Sequence, residues 1–513
     1  MPGHRHHHKN CCFGSSFIRN IVQFAVWRLL RDLFVAVLIF SRFVMIPQPL
    51  YPPLNHPSQI NDERKTGLIK IVIITLEFRK GTFSGNGIYA QSIARSLARR
   101  GHEVLVISGK QVQNVSTIST NTITNTNLDD QNAPGKESES KAFESCQILD
   151  LSKNKDLGIF ELEVNVEPEG WGRLDWKCPW KSFANSISVY KEHVLRFNPS
   201  WVLVVDWSSV PAFEELWNSV GNPHWRMAFL NFRIYTISEY HGDNGDAEKK
   251  FYKDIESKGV TLASAISALS SRDAHILATE LGKGIKPGVI PKPHFPPLRE
   301  DLRTIALATS SITQGQTVDE WLNGRRFFTC CVRISPEKNA KLFASLVEGL
   351  VGFLREQQIV PFLCSGANRM GIYADDVILR IKVAMPEAIV YEGFMDATQL
   401  SELYSQTLLN IHPCIYDAYG MTIVEAAAFM SPSIVHLGSG GAVGAAEFLD
   451  PSKGQVIGLD LAGALSDIVN GIKHTLLNKN HLAEVAWAAS KRSLSWDEDA
   501  NAEQLMAILE GAP

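Results

Sequence analysis

Two stretches far apart in the chain carry charged residues in patterns that suit sugar and phosphate chemistry. Arg333 and Lys338 flank a Ser-Pro-Glu turn directly after the apolar run 327–332. Asp417 and Glu425 form an acidic pair with seven residues between them. Fixed cations stabilise the negative charge that builds on a departing phosphate, and carboxylates accept hydrogen bonds from hydroxyls. The two patterns therefore predict a site for a sugar joined to a phosphate.

The acidic pair brackets a predicted helix start. Gly420 and Met421 precede Thr422, which we expect to open an alanine-rich helix and to form a capping box with Glu425. Amides exposed at a helix N-terminus hold anions, so residues 420–422 are candidates for donor binding. In the alternative interpretation Asp417 is an ordinary loop residue, Glu425 only a cap, and the basic loop a solvated Glu-Lys pair.

Parallel strands have to position these loops. Apolar runs typical of buried parallel strands are 69–75, 103–107, 201–205 and 227–230 in the first half, and 327–332, 360–365, 408–411 and 433–437 in the second. A short strand and loop is expected at 389–394. Helical periodicity between the first two runs predicts a helix that ends at Gly101, and the run 103–107 then completes a β-α-β unit. The run 201–205 leads into Asp206, where ligand-facing loops lie.

The loop after the first strand holds Gly85, Asn86 and Gly87 without the third glycine of a dinucleotide fingerprint. Taken alone, two glycines at this spacing permit a tight turn and leave a role in ligand binding open. A chain of 513 residues is too long for a single core. We expect a tail and Pro-rich linker (1–60), a Rossmann-like N-terminal domain (66–298) with a disordered insertion at about 111–141, a Rossmann-like C-terminal domain (320–478) and C-terminal helices (479–513).

The Asp417 to Glu425 spacing, with the alanine-rich helix and short strand behind it, resembles the acidic motif of retaining GT-B glycosyltransferases, in particular glycosyltransferase family 4. The Arg333 to Lys338 loop and the opening stretch 71–107 are similar to that family as well, and the stretches 265–270 and 289–291 match the last two strands of its first domain. The resemblance implies an α/β, GT-B fold in which two Rossmann-like domains face each other across a cleft. The domain 66–298 would bind the acceptor, with the glycine loop (Gly85, Asn86 and Gly87) facing acceptor and phosphate. The domain 320–478 would bind the nucleotide-sugar, and the C-terminal helices (479–513) would cross back to the first domain.

Function is likewise implied by the resemblance: transfer of a hexose from a nucleotide-sugar to an acceptor hydroxyl, with retention, no essential metal and no cofactor beyond the substrates. Arg333 and Lys338 would hold the diphosphate, Asp417 the sugar and Glu425 the ribose. Glu447 follows a Gly-Gly turn, as the donor-side Glu of relatives does. The acceptor, whether glycan, lipid or small molecule, is not determined by the sequence.

The chain departs from the family at several positions. Asp417 is one methylene shorter than the usual Glu, and Asn231 stands where many members have a histidine near the transferring sugar. Asn cannot titrate, so His241 is a candidate replacement, and in a front-face reaction the leaving phosphate can itself take the proton. Arg233 would add positive charge or pair with a surface acid. A nucleotide-sugar epimerase and a catalytically weakened binding module remain alternatives.

Charge, cysteine usage and hydropathy bear on the binding partners and the cellular location of the protein. A net charge of −4 argues against nucleic-acid binding, and the scattered cysteines are typical of reduced, packed thiols. Residues 17–46 are apolar but interrupted by charges, which fits an interfacial helix, a weak signal anchor or a packed helix. We favour the cytosol or the cytosolic face of a membrane, with a Golgi or ER type II anchor as the alternative.

Overall fold

The computed structural model describes residues 67–78, 85–111, 147–148, 158–166, 179–221, 223–237, 245–313, 315–366, 371–439 and 441–513. The N-terminal segment 17–46, the insertion beyond Gln111 and His241 lie outside these ranges, so the predictions for them stay predictions. Within these ranges no helix combines the length and the apolarity needed to cross a lipid bilayer.

The first sheet has eight strands in the order β3-β4-β2-β1-β5-β6-β7-β8, all parallel except β3. They are β1 (Lys70–Thr75), β2 (Glu103–Gln111), β3 (Gln147–Ile148), β4 (Ile159–Val166), β5 (Trp201–Val205), β6 (Arg226–Asn231), β7 (Ala265–Ala268) and β8 (Lys292–Pro293). The helices between them are α1 (Gly85–Arg99), α2 (Pro179–Ser186), α3 (Lys191–Phe197), α4 (Val210–Val220), α5 (Gly245–Leu262) and α6 (Ser271–Thr279).

The second sheet has six parallel strands in the order β11-β10-β9-β12-β14-β16. They are β9 (Phe327–Cys331), β10 (Val360–Cys364), β11 (Ile389–Tyr391), β12 (Thr407–Ile411), β14 (Ser433–His436) and β16 (Ile457–Leu459). A separate two-stranded ribbon pairs β13 (Tyr416–Asp417) with β15 (Ala442–Val443). The remaining helices are α7 (Glu300–Thr313), α8 (Val318–Leu322), α9 (Ala340–Glu356), α10 (Gly371–Ala384), α11 (Ala397–Ser405), α12 (Met421–Ala428), α13 (Ala445–Phe448), α14 (Leu465–Leu477), α15 (Lys479–Leu494) and α16 (Glu498–Glu510).

Local chemistry explains most of these boundaries. β1 and β5 are buried along nearly their whole length, as expected of strands covered on both faces. Asp396 caps α11 in a complete capping box, and Gly101 adopts φ +89° just after α1. The expected strand at 289–291 is wrong: the chain joins the first sheet at Lys292–Pro293 instead, directly before the link to the second sheet.

The C-terminal helix returns to the first sheet, where it packs on α1. Glu498 is fully buried and accepts hydrogen bonds from both Arg95 and Arg99, the latter at 3.0 Å. Leu505 and Leu509 of α16 belong to the same hydrophobic cluster as Ile93 of α1. The predicted crossing-back helix is therefore anchored by a buried carboxylate as well as by apolar contacts.

We expect Glu498→Ala to lower the free energy of unfolding by about 2–4 kcal/mol, because Arg95 loses its carboxylate partner in a largely buried setting. Asp499→Ala is the matched control: Asp499 bonds the same Arg99 at 2.9 Å but is mostly exposed, so its loss should cost less than about 1 kcal/mol. Denaturant unfolding of both variants measures the difference, and equal losses would contradict the anchoring role of Glu498.

Candidate functional site

The two sheets reverse their strand order at equivalent places, between β1 and β5 and between β9 and β12. Ligands of open parallel sheets bind at the carboxyl ends of the strands at such switch points. The loops that follow these four strands carry the glycine loop, Asp206, the Arg333 to Lys338 loop and the acidic motif. Topology therefore gathers the groups that the sequence singles out, together with others that it does not.

Lys338 and Asp417 lie in direct contact although 79 residues separate them. Lys338 Nζ is 2.6 Å from Asp417 Oδ2, and His412 Nε2 is 2.8 Å from the same oxygen. Burial alone would raise the pKa of Asp417, but Lys338 and His412 hold it well below its ordinary value. Lys338 and His412 therefore stabilise the ionised form of Asp417.

His412 is a functional candidate that the sequence analysis missed. Burial would lower its pKa, yet Cys414 and the hydrogen bond to Asp417 raise it to about 9. One donor atom each from His412, Cys414 and Asp417 lie within 4.8 Å of one another, a set of ligands that suits zinc. Lys338 Nζ beside Asp417 is a fixed cation at the same place, and it would have to move for a metal ion to bind.

Arg333 lies in the same loop as Lys338 but has a different partner. Its guanidinium forms an ion pair with Glu337 at 3.2 Å and remains 43% exposed. Burial raises the pKa of Tyr235, which follows β6 of the first sheet, to about 12. The positive charge of Arg333 opposes this increase in part. The basic loop thus carries two cations with different partners. Lys338 is paired with Asp417, whereas Arg333 is paired with Glu337 and remains accessible to solvent.

Glu425 is buried, and it faces a different neighbourhood from Asp417. Its Oε1 is 3.9 Å from Arg299 Nη1. Burial raises the pKa of Glu425, and Arg299 partly opposes that shift. The predicted capping box is wrong: α12 begins at Met421, Gly420 is its N-cap, and no side chain caps it.

Gly420 permits the sharp entry into α12. Its φ of +91° lies in the left-handed region, and a Cβ there would come 2.7 Å from Ile423 Cδ1. One residue further on, Met421 lies against the start of α1, because a Cβ on Gly85 would come 3.1 Å from Met421 Sδ. The glycine of the first loop therefore lets α1 and α12 approach closely.

Asp206, at the end of β5, combines strain, burial and an unsatisfied oxygen. Its φ of +61° and ψ of +170° belong to a region that is otherwise almost confined to glycine, and such strain clusters at functional sites. Oδ2 accepts from Asn86 Nδ2 at 3.1 Å, whereas Oδ1 is buried without a hydrogen-bond partner. Burial raises the pKa of Asp206 to about 7, so it titrates near neutrality.

Asn231 ends the neighbouring strand β6 and is also unsatisfied. It is only 1% exposed, and neither its amide oxygen nor its amide nitrogen has a hydrogen-bond partner. Buried polar groups normally find partners, so these atoms call for a ligand or water. The alternative of a surface ion pair for Arg233 is wrong, because no described carboxylate lies within 4.0 Å of its guanidinium and its Nε is buried.

One residue of the ribbon and one of α13 contact α6, the helix that follows β7 of the first sheet. The hydroxyl of Tyr416 donates to Asp273 Oδ2 at 3.1 Å. Both oxygens of Glu447 accept from the first amides of α6, those of Ser271 at 2.6 Å and Arg272 at 3.2 Å. Glu447, predicted to bind the donor, thus holds the N-terminus of a helix on the opposite sheet.

No protein-family model and no curated protein matches the sequence. Solved structures match along 86% of the chain. They include a sucrose-phosphate synthase from Thermosynechococcus elongatus (TM-score 0.60, 13% identity, 98% of that chain). HepE of Anabaena, in complex with UDP and glucose, matches with a TM-score of 0.55 at 14% identity over 99% of its length. A trehalose-phosphate synthase from Burkholderia xenovorans, in complex with glucose-6-phosphate, matches with a TM-score of 0.57 at 10% identity over 100% of its length.

At such low identity these matches establish the fold. The α/β architecture of two parallel sheets with a returning C-terminal helix agrees with that of the matched synthases, so the predicted GT-B fold class is confirmed. Function has to be argued from the site itself.

We expect Asp206→Asn to remove a pH-dependent loss of stability. The unfolded chain releases the Asp206 proton near its ordinary pKa and the folded chain only near 7, so the wild-type free energy of unfolding falls from about pH 4 to about pH 7. The variant should fall less over this range, by roughly 2–4 kcal/mol. Denaturant unfolding at several pH values tests this, with Asp499→Asn as the exposed control, and parallel curves would refute it.

Proposed function

We propose that this protein is a retaining glycosyltransferase of the family 4 type, which transfers a hexose from a nucleotide-sugar to an acceptor hydroxyl. The observation that carries the proposal is the 2.6 Å contact between Lys338 and Asp417. It brings the basic loop and the acidic motif together at the carboxyl edge of the second sheet. Matched structures solved with UDP and glucose or with glucose-6-phosphate support the same ligand chemistry.

Charge on the leaving diphosphate is neutralised in this proposal by Arg333 and Lys338 rather than by a metal ion. Cations aimed at the leaving group lower the barrier, because that charge is larger in the transition state than in the ground state. Lys338 has to turn from Asp417 toward the diphosphate. His412 remains 2.8 Å from Asp417 and keeps that carboxylate neutralised when Lys338 moves.

Asp417 and the amides of residues 420–422 would hold the sugar, and the buried Glu425 the ribose hydroxyls. Glu447 can reach a donor only after it releases the two α6 amides that it now binds. The Glu447 carboxylate could then either bind the α6 amides, which joins the two domains, or bind the donor, but not both at once.

The acceptor would lie against the first sheet, between the glycine loop (Gly85 to Gly87) and the ends of β5 and β6. Asp206 Oδ1 and the amide of Asn231 are buried groups without partners there, and they match the donor and acceptor capacity of a sugar hydroxyl. In a front-face reaction the leaving phosphate takes the acceptor proton. Asp206, which titrates near neutrality, can orient that hydroxyl.

A donor screen tests the activity directly. The full chain is incubated with a panel of nucleotide-sugars, with and without a mixture of glycans, lipids and sugar phosphates, and the released nucleotide is identified by mass spectrometry. Release of a nucleoside diphosphate together with a glycosylated product supports the proposal. Conversion of the nucleotide-sugar without release identifies an epimerase instead, and calorimetric binding without any turnover identifies a binding module.

We expect Lys338→Ala to lower kcat by about 100- to 1,000-fold, because the leaving diphosphate loses a fixed cation. His412 still neutralises Asp417, so we expect only a small decrease in the midpoint of thermal unfolding beside the large loss of kcat. Lys341→Ala is the matched control, since Lys341 is half exposed and pairs with Asp376 away from the acidic motif. Unchanged turnover in Lys338→Ala would rule out the assigned role.

A further inference from the structure

Two arginines of the first sheet flank one aromatic ring of the second. Arg233 follows β6 directly, and Arg272 lies in the first turn of α6. The guanidinium carbons lie 5.6 Å (Arg233) and 5.1 Å (Arg272) from the centroid of the Tyr416 ring. We refer to Arg233 and Arg272 as the arginine pair. Contact with the ring fixes both guanidinium groups at the interface between the sheets.

The arginine pair has no counter-ion among the described residues. No described carboxylate comes within 4.0 Å of either guanidinium, although this chain forms many such ion pairs elsewhere. Arg233 Nε and Arg272 Nη1 are buried and have no hydrogen-bond acceptor. Buried cationic donors without acceptors are costly, and such groups are normally paired.

The nearby acids already have other partners. Asp417 is bound by Lys338 and His412, and Glu337 is paired with Arg333. The Glu447 carboxylate is bound by the amides of α6, as described above. Asp273 accepts from the Tyr416 hydroxyl, and its remaining oxygen has no partner. Asp417 and Glu337 still attract Arg233 electrostatically, and Asp273 attracts Arg272. None of the described acids, however, lies within 4.0 Å of either guanidinium to form an ion pair with the arginine pair.

We propose that the arginine pair binds an anionic group, a phosphate or a carboxylate, carried by the acceptor substrate. The site itself follows from the unpaired guanidinium groups, and only its assignment to the acceptor rests on the proposed function. Two observations favour the acceptor over the donor. Both arginines extend from the first sheet, which would bind the acceptor, and the diphosphate of the donor already has cations in the loop of the second sheet.

The chemistry of arginine suits this role. A guanidinium presents two parallel N–H donors that match the oxygens of a phosphate or carboxylate, and stacking on an aromatic face leaves those edges free. Two positive charges at one place favour a doubly charged phosphate monoester over a carboxylate. The partly buried position strengthens the attraction relative to a surface site, because water screens it less.

Inorganic phosphate is the probe, titrated calorimetrically into the full chain. We expect measurable binding by the wild type and at least about tenfold weaker binding by Arg233→Gln and by Arg272→Gln, each tested singly. Arg226→Gln is the matched control: Arg226 opens the same strand, β6, at its opposite end and stacks on Trp201 at 4.2 Å. It should bind phosphate as the wild type does.

Lys338→Ala separates the two sources of the anion. Retained phosphate binding in Lys338→Ala supports a site distinct from that of the donor diphosphate. Loss of binding in Lys338→Ala with retention in the two arginine variants would assign the anion to the donor and overturn the inference. Absence of phosphate binding by the wild type, or equal affinity in all variants, would overturn it too.

Folding of the variants is checked by thermal unfolding, and Arg233→Lys and Arg272→Lys provide a second series. Lysine keeps the positive charge but lacks the two parallel N–H donors of the guanidinium, so these variants should bind phosphate with intermediate affinity. Titration requires no turnover, so its result holds even if the donor screen finds no transfer. Conversely, transfer to uncharged acceptors only, at rates that the arginine substitutions leave unchanged, would contradict this inference while the proposed function stands.

Discussion

The buried carboxylate of Asp417 is the constraint on which the arrangement of the second sheet depends. A carboxylate at that depth is stable only if neighbouring cations neutralise it. Lys338, from the loop after β9, and His412, from the loop after β12, both bind its Oδ2. Their contacts tie together two loops at the switch point of the sheet. One charge requirement thereby fixes the relative position of the basic loop and the acidic motif.

At the carboxyl ends of β5 and β6 in the first sheet, by contrast, buried polar groups lack hydrogen-bond partners. Asp206 is held in a strained backbone conformation, and both polar atoms of Asn231 are unsatisfied. The guanidinium groups of Arg233 and Arg272 add unpaired positive charge beside them. Such groups reduce stability unless a ligand or water satisfies them, and functional sites commonly retain that cost. One sheet thus offers neutralised charges, and the other offers free hydrogen-bonding capacity.

The short strand β13 links the two edges. Successive side chains of a strand point in opposite directions. Tyr416 accordingly contacts Asp273 of the first sheet, whereas Asp417 contacts Lys338 of the second. A movement of one sheet against the other would therefore act on Asp417 through its immediate neighbour in the chain. Glu447 on α13 adds a second contact of the same kind through the amides of α6.

No predicted run covers β4 or β16. The amino-acid sequence alone nevertheless predicts the α/β class, most of the strands and the loops that carry the charged residues, because apolar runs, glycines and caps such as Asp396 act locally. It misplaced the start of α12, where the left-handed Gly420 rather than a capping box opens the helix. Three features of the site follow from the fold and not from local patterns: His412 bonds Asp417, Glu425 lies near Arg299, and Arg233 has no carboxylate within 4.0 Å among the described residues. The reason is physical: these contacts depend on how strands far apart in the chain align, and the spacing of residues along the chain does not record that alignment.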